Sequence, residues 1–184
     1  MEIKEELLAE ELKKANISLI LESYQDIFSD FDPRPFAEKS LSDDFLLECR
    51  RAAREKDDKS MEIILSLPRT KRNLNDEFKI KRRLKEHFHK HFIEKDKELT
   101  NIKRTGIFLI FSGMILMFFS FLLYSILSPL NEILKAILLV VTEPGGWFLF
   151  WIGGEKFIYE AKNKEPDYIF YKKMANSEII FRSY

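Results

Sequence analysis

The sequence predicts an α+β membrane protein, in which a two-helix transmembrane hairpin carries a small cytosolic α/β domain and the C-terminal strand is placed to join the N-terminal sheet. Three observations predict it. Two apolar blocks stand either side of a short turn, a strongly basic stretch precedes the first block, and short apolar runs suited to strands lie on both flanks. Whole-chain averages conceal this arrangement. With 33% charged and 46% hydrophobic residues, the 184-residue chain has the composition of an ordinary soluble protein.

Taken by segment, the charge is sharply divided. Residues 1–70 hold 11 Lys/Arg against 17 Asp/Glu, and residues 71–104 hold 12 against 6, so a net −6 gives way to a net +6. Between 105 and 152 the only charged residues are Glu132, Lys135 and Glu143. The single cysteine, Cys49, allows no intramolecular disulfide, and a cytosolic head is the expected setting. The start of the chain is acidic and amphipathic, without the basic and apolar regions of a signal peptide, so insertion is expected to fall to the internal apolar segments.

Residues 1–73 are expected to form the cytosolic α/β domain. An amphipathic helix is predicted over 3–15, from apolar Ile3, Leu7, Leu8, Leu12 and Ala15. Strands are predicted at 17–21 and 60–67, the second ended by Pro68. Between them, Ser40 and Asp43 suggest a capping box opening a helix from Asp43 to about Lys56. Residues 74–104 read as one long basic juxtamembrane helix, with Phe78, Leu84, Phe88, Phe92, Leu99 and Ile102 as core positions, running without a break into the first transmembrane helix.

Residues 105–127 carry no ionisable group except the Tyr124 phenol. At about 1.5 Å per residue they span the ~30 Å hydrocarbon layer. Residues 128–132 form a short external turn, and 133–152 form transmembrane helix 2, kinked at Pro144. Trp147 and Trp151 suit an interfacial aromatic belt. Small residues Thr105, Gly106, Ser112, Gly113 and Ser120 on the first helix allow close helix contact, although no Gly-x-x-x-Gly occurs there. Residues 153–184 return to the cytosol as a helix starting near Pro166 and a strand over 178–184. The Lys/Arg excess before Thr105, against Lys135 alone between the two helices, predicts both termini in the cytosol and the protein in the cell membrane as a multi-pass chain.

Glu143 is the residue with the most to explain, and Pro144 beside it removes a backbone donor at the same depth. An intramembrane carboxylate can serve an ion or proton site, snorkel, or pair with Lys135 or a second subunit. Asp30, Asp32 and Arg34 form a possible interaction loop: the aspartates either hold Mg²⁺ for phosphate chemistry or, more simply, order a proline-bounded turn with Arg34 paired locally. His87, His91 and Glu94 share a helix face, which permits zinc but supplies too few ligands to require it. The basic run 79–85 fits positive-inside charge better than nucleic acid. No phosphate-binding glycine loop or nucleophile elbow is present, and neither a catalytic residue nor a cofactor is assigned.

The segments DFDPRPF (30–36), LSDDFL (41–46), EPGGWFLFW (143–151) and FYKKMANSEIIF (170–181) resemble an uncharacterised prokaryotic family of two-transmembrane-helix proteins with a small cytosolic domain and no known activity. The resemblance implies a microbial inner or plasma membrane and no mechanism. Three functions follow in order of expectation. First comes a non-enzymatic, membrane-anchored interaction or scaffold module whose partners are the lipid bilayer and either a second copy or another protein. A subunit of an oligomeric ion or proton pathway using Glu143 is second, and a membrane-tethered metal-dependent hydrolase is third.

Overall fold

The computed structural model describes residues 17–54, 62–126 and 132–184. It is mostly helical, with one three-stranded parallel sheet. Two compact units divide it: residues 1–93 together with 169–184 form the head, and residues 94–168 form the second unit. The expected helix over 3–15, and residues 128–131 of the expected turn over 128–132, lie outside the described residues, while Glu132 begins a helix rather than ending the turn.

In the head, β1 (Ile17–Ile20), β2 (Glu62–Leu67) and β3 (Glu178–Ser183) stand in the order β1-β2-β3. Ile17 pairs with Ile63, and Glu62 to Leu67 pair in register with Glu178 to Ser183. The C-terminal strand therefore completes the N-terminal sheet. β2 is buried at every position after its first, as a central strand of a parallel sheet must be. Tyr184 extends the closure: its N–H donates to the Leu67 carbonyl at 3.1 Å and its hydroxyl to the Leu21 carbonyl at 3.3 Å.

Helix α1 (Asp43–Arg54) connects β1 to β2, with Asp43 and Asp44 at its positive end and Arg51 and Arg54 at the other. Its cap is Ser42, whose hydroxyl accepts from the Phe45 N–H at 3.5 Å, and not Ser40, which is held by the preceding loop. Phe45, Cys49 and Ala53, four residues apart, turn one stripe to the core.

Helix α2 (Leu74–Ile126) is a single 53-residue element, so the juxtamembrane and apolar segments are continuous. Ile80, Leu84 and Phe88 are completely buried and belong to the same core cluster as Ile63, Leu65, Leu67, Ile179 and Phe181. The expectation of Phe78 as a core residue is corrected: it is 71% exposed, because the stripe set by Ile80 and Leu84 lies on another side of the helix. Where α2 begins, the nearly buried Glu77 accepts from Arg72 Nε at 2.7 Å and Nη2 at 3.0 Å, and from the Tyr24 hydroxyl at 3.1 Å. Tyr24 accepts in turn from the Asn73 N–H at 2.8 Å. The Arg72 bond, then the Tyr24 bond, hold the Glu77 carboxyl below its ordinary range against the opposing effect of burial.

Helix α3 (Glu132–Glu155) carries Pro144 inside it and is continuous through that position. Pro144 still has no N–H to give the Val140 carbonyl. A π-helical segment, Lys156–Glu160, joins α3 to α4 (Ala161–Ala175). The C-terminal helix thus begins before Pro166, which lies inside it. Phe170 and Met174 of α4 belong to the head core.

Candidate functional site

Two helices, α2 and α3, are long and apolar enough to cross a membrane. They meet along a seam of small residues seven apart. Gly106, Gly113 and Ser120 on α2 face Gly153, Gly146 and Thr142 on α3. A Cβ on Gly113 would stand 2.6 Å from both the Gly146 carbonyl oxygen and the Phe150 nitrogen, and one on Gly153 would stand 2.7 Å from the Gly106 oxygen. Glycine is required at these crossings because backbone lies directly against backbone.

The seam turns polar where Thr142 meets Ser120. Thr142 Oγ1 lies 2.9 Å from the Leu138 carbonyl and 3.1 Å from Ser120 Oγ. With one proton on each hydroxyl, Thr142 donates to Leu138 and accepts from Ser120. Immediately beside it is Glu143, the twelfth of the 24 residues of α3. Its side chain is exposed, facing an open cleft of about 350 Å³ with Met117, Ser120, Phe121, Leu139 and Trp147. Among the described residues nothing pairs with the Glu143 carboxylate, so the Lys135 pairing considered from sequence is not formed. Pro144 is exposed next to it and supplies no side-chain ligand.

The apolar residues of this unit point outward rather than inward: Phe108 is 68% exposed and Val140 is 72% exposed. These side chains are therefore not covered by a core within this chain, which fits helices facing an apolar surrounding. At the far end of the apolar part, Glu98 on α2 joins Lys95 and, across to α4, Lys164, each at 2.8 Å. Lys164 and then Lys95 hold the Glu98 carboxyl down to about 2.

The loop singled out from sequence is an ordered turn. Asp32 accepts from Arg34 Nη2 at 2.7 Å, Arg34 Nε at 2.9 Å and the Ser40 N–H at 2.7 Å. Arg34 foremost, then the Ser40 amide, hold its carboxyl far below the usual range. Both oxygens of Asp32 are thus engaged by donors rather than open to a hard cation, and Asp30 stands exposed beside it. Between them Phe31 is 97% exposed, at the tip of a turn that Asp32, Arg34 and Ser40 make rigid.

His87 and His91 do share a face, with ring centroids 4.4 Å apart and His91 stacked on Tyr171 at 5.2 Å. They do not gather a metal set: no group of three His, Cys, Asp or Glu among the described residues is arranged to hold one. His87 Nε2 is buried without a hydrogen-bond partner, and burial, then the charges of His91, Arg83 and Lys90, lowers its pKa to about 4. A neutral His87 therefore contributes stability that is fully present above about pH 6.5 and lost as pH falls through about 4. The depressed Glu77 acts in the same direction. Acid titration of thermal unfolding is expected to show a decline over that window, and His87→Phe is expected to flatten it.

No protein family, curated protein or solved structure matches the chain. Function therefore has to be argued from geometry. Gly106, Gly113 and Ser120 were expected from sequence to allow close helix contact, whereas Gly146, Gly153 and Thr142 opposite them were not singled out, although glycine at 146 and 153 repeats at the same seven-residue interval. Trp147 lines the Glu143 cleft.

Proposed function

We propose that the chain is a membrane-anchored interaction or scaffold module, its hairpin crossing the cell membrane and its head on the cytosolic side with both termini. One observation carries the reading. β2 precedes the apolar helices, β3 follows them, and the two pair over six residues, so both flanks of the hairpin belong to one folded head. The basic flank of α2, including Lys97, Lys103 and Arg104, supports retention of that head in the cytosol. The rigid turn presenting Phe31 between Asp30 and Asp32 supports docking of a protein partner or a second copy, since a fixed exposed aromatic is the usual anchor of an interface. The resemblance to prokaryotic two-helix membrane proteins points the same way and adds no activity.

Labelling in intact cells tests this placement. Cys49 is fully buried and burial pushes its thiol up to about 12, so it stays silent toward a maleimide. Cysteines placed at Gln25 and Ser183 are expected to resist a membrane-impermeant maleimide until the membrane is opened, and then to react together. Reaction from opposite sides, or a chain that stays dissolved without detergent, overturns the reading.

A second reading, a subunit of an oligomeric ion or proton pathway, is favoured by the exposed and unpartnered Glu143. A mid-bilayer carboxylate costs about 2.5–3.5 kcal/mol on insertion scales, and convergence of several copies around water relieves that cost. Two helices enclose no lumen, so this reading requires oligomers. Glu143→Gln is expected to abolish proton or cation flux in liposomes; unchanged flux removes the pathway and leaves the anchor.

A further inference from the structure

A second concavity of the hairpin lies one helical stretch beyond Glu143. It measures about 600 Å³ and is lined by Ile110 of α2 with Phe150, Trp151, Gly154 and Glu155 of α3 and Ile158 and Tyr159 of the π-helical segment. That size is within the range of about 300–1,000 Å³ typical of small-molecule sites. Its floor exists because Gly154 has no side chain: a Cβ there would meet nothing within 4 Å. Unlike Gly106, Gly113, Gly146 and Gly153, this glycine takes no part in the helix seam.

The rim of the notch combines a carboxylate with aromatic faces. Trp151 is 72% exposed and Tyr159 is 68% exposed. Glu155 lies one turn from each along the chain. Lys156, its neighbour, is taken up by Glu160 at 2.8 Å, while Glu155 has no partner among the described residues. An unpaired carboxylate flanked by indole and phenol rings is the chemistry that receives an organic ammonium, through charge and through the negative faces of the rings. The remaining lining, Ile110, Phe150 and Ile158, is purely apolar and suits hydrocarbon. From Phe150 to Tyr159 the groove runs about 14 Å along the helix, at 1.5 Å per residue. A ligand matching both ends is an amphiphile with a cationic head and an acyl tail.

We infer that the Gly154 notch is a binding site for a phospholipid whose headgroup carries an ammonium, with the ammonium at Glu155, Trp151 and Tyr159 and the upper acyl chain along Ile110, Phe150 and Ile158. The inference rests on the membrane reading above, which sets this end of α3 at the cytosolic interface where headgroups lie. Bound lipid fills the groove that the missing side chain leaves. The π-helical segment contributes Ile158 and Tyr159 to the same rim, and such segments recur at functional sites.

Tryptophan quenching by brominated lipid tests it, because the chain has only two tryptophans, Trp147 and Trp151. The full chain carrying Trp147→Phe reports from the notch, and the chain carrying Trp151→Phe reports from the Glu143 cleft. Each is placed in vesicles of equal phosphatidylethanolamine and phosphatidylglycerol, with bromine on the chains of one lipid or the other. Trp151 is expected to favour brominated phosphatidylethanolamine by about fivefold in relative occupancy, a preference of the size a cation held by one carboxylate and aromatic rings gives. Trp147 is expected to be quenched equally by the two lipids. Glu155→Gln is expected to erase the preference. Gly154→Leu, whose side chain enters open space, is expected to lower quenching of Trp151 by both. Equal quenching of Trp151 by the two lipids, or a preference that survives Glu155→Gln, overturns the site while leaving the hairpin in the bilayer. Absence of quenching of either tryptophan by either lipid overturns the membrane reading and the site together.

Discussion

A chain ended after Ser177 is expected to lose its folded head. The deletion removes β3 and with it six register pairs along β2, together with the buried side chains of Ile179 and Phe181. Burial of each of those side chains is worth about 1.5–3 kcal/mol, and a domain is held by only about 5–15 kcal/mol in total. The exposed edge of β2 would also leave its backbone donors and acceptors without partners beside a row of isoleucines and leucines. Limited proteolysis of the detergent-solubilised protein checks this. Cleavage within α1 and around Pro68, absent in the full chain, is expected to become fast. Removal of Tyr184 alone deletes two hydrogen bonds at the margin and is expected to have a small effect. Resistance of the truncated head to protease would mean that β1, β2 and the helices suffice without the third strand.

The second large effect is expected at Gly113. Alanine places a methyl group 2.6 Å from the Gly146 oxygen and the Phe150 nitrogen, both backbone atoms with no rotamer to change, so α2 and α3 must separate. Overpacking of this kind costs about 1–3 kcal/mol. Gly113→Leu is expected to cost more and to split the hairpin contact, including the Thr142–Ser120 hydrogen bond two turns along α2. Gly154→Ala is the matched control. It adds the same methyl group to the same helix pair where nothing stands within 4 Å, and it is expected to be neutral or to stabilise by about 0.5–1 kcal/mol through helix propensity. Thermal unfolding of the three variants in one detergent reads the contrast. Equal losses at Gly113 and Gly154 would show that glycine acts through the backbone of the isolated helix and not through the seam.

Much of this fold was legible in the residues. Dense runs of isoleucine and leucine at 17–20, 62–67 and 178–183 stand apart from their polar surroundings, and each became a strand. Union of β3 with the N-terminal strands was expected from a strand-like run at 178–184 together with the basic flank of the first apolar block, which predicts both ends on one side. The errors have physical causes. The C-terminal helix was expected to start near Pro166, yet Pro166 lies inside a helix that begins at Ala161, since a missing N–H removes one bond and leaves the rest of the ladder intact. Phe78 is out of phase with the buried stripe of Ile80, Leu84 and Phe88, so it faces outward. The α2 side of the glycine seam was legible as small residues, whereas its α3 side, Gly146 and Gly153, was not, because the seven-residue repeat shows only when the two helices are set against each other. For the candidate sites, the local pairing of Asp32 with Arg34 could be read from their adjacency, whereas the solitude of Glu143 and the opening at Gly154 depend on what the partner helix leaves uncovered. Sequence spacing does not carry that information.

Between the two strands that close the sheet lie 110 residues, from Pro68 to Ser177. A ribosome adding about 5–20 residues per second needs roughly 5–20 s to cross that interval. For all that time the newborn β2 holds an open edge, and only after both apolar helices have been delivered can its neighbour arrive. Completion of the head thus reports that the greasy middle of the chain has been handled correctly, and a nascent protein that fails there displays an unpaired apolar strand to chaperones and proteases.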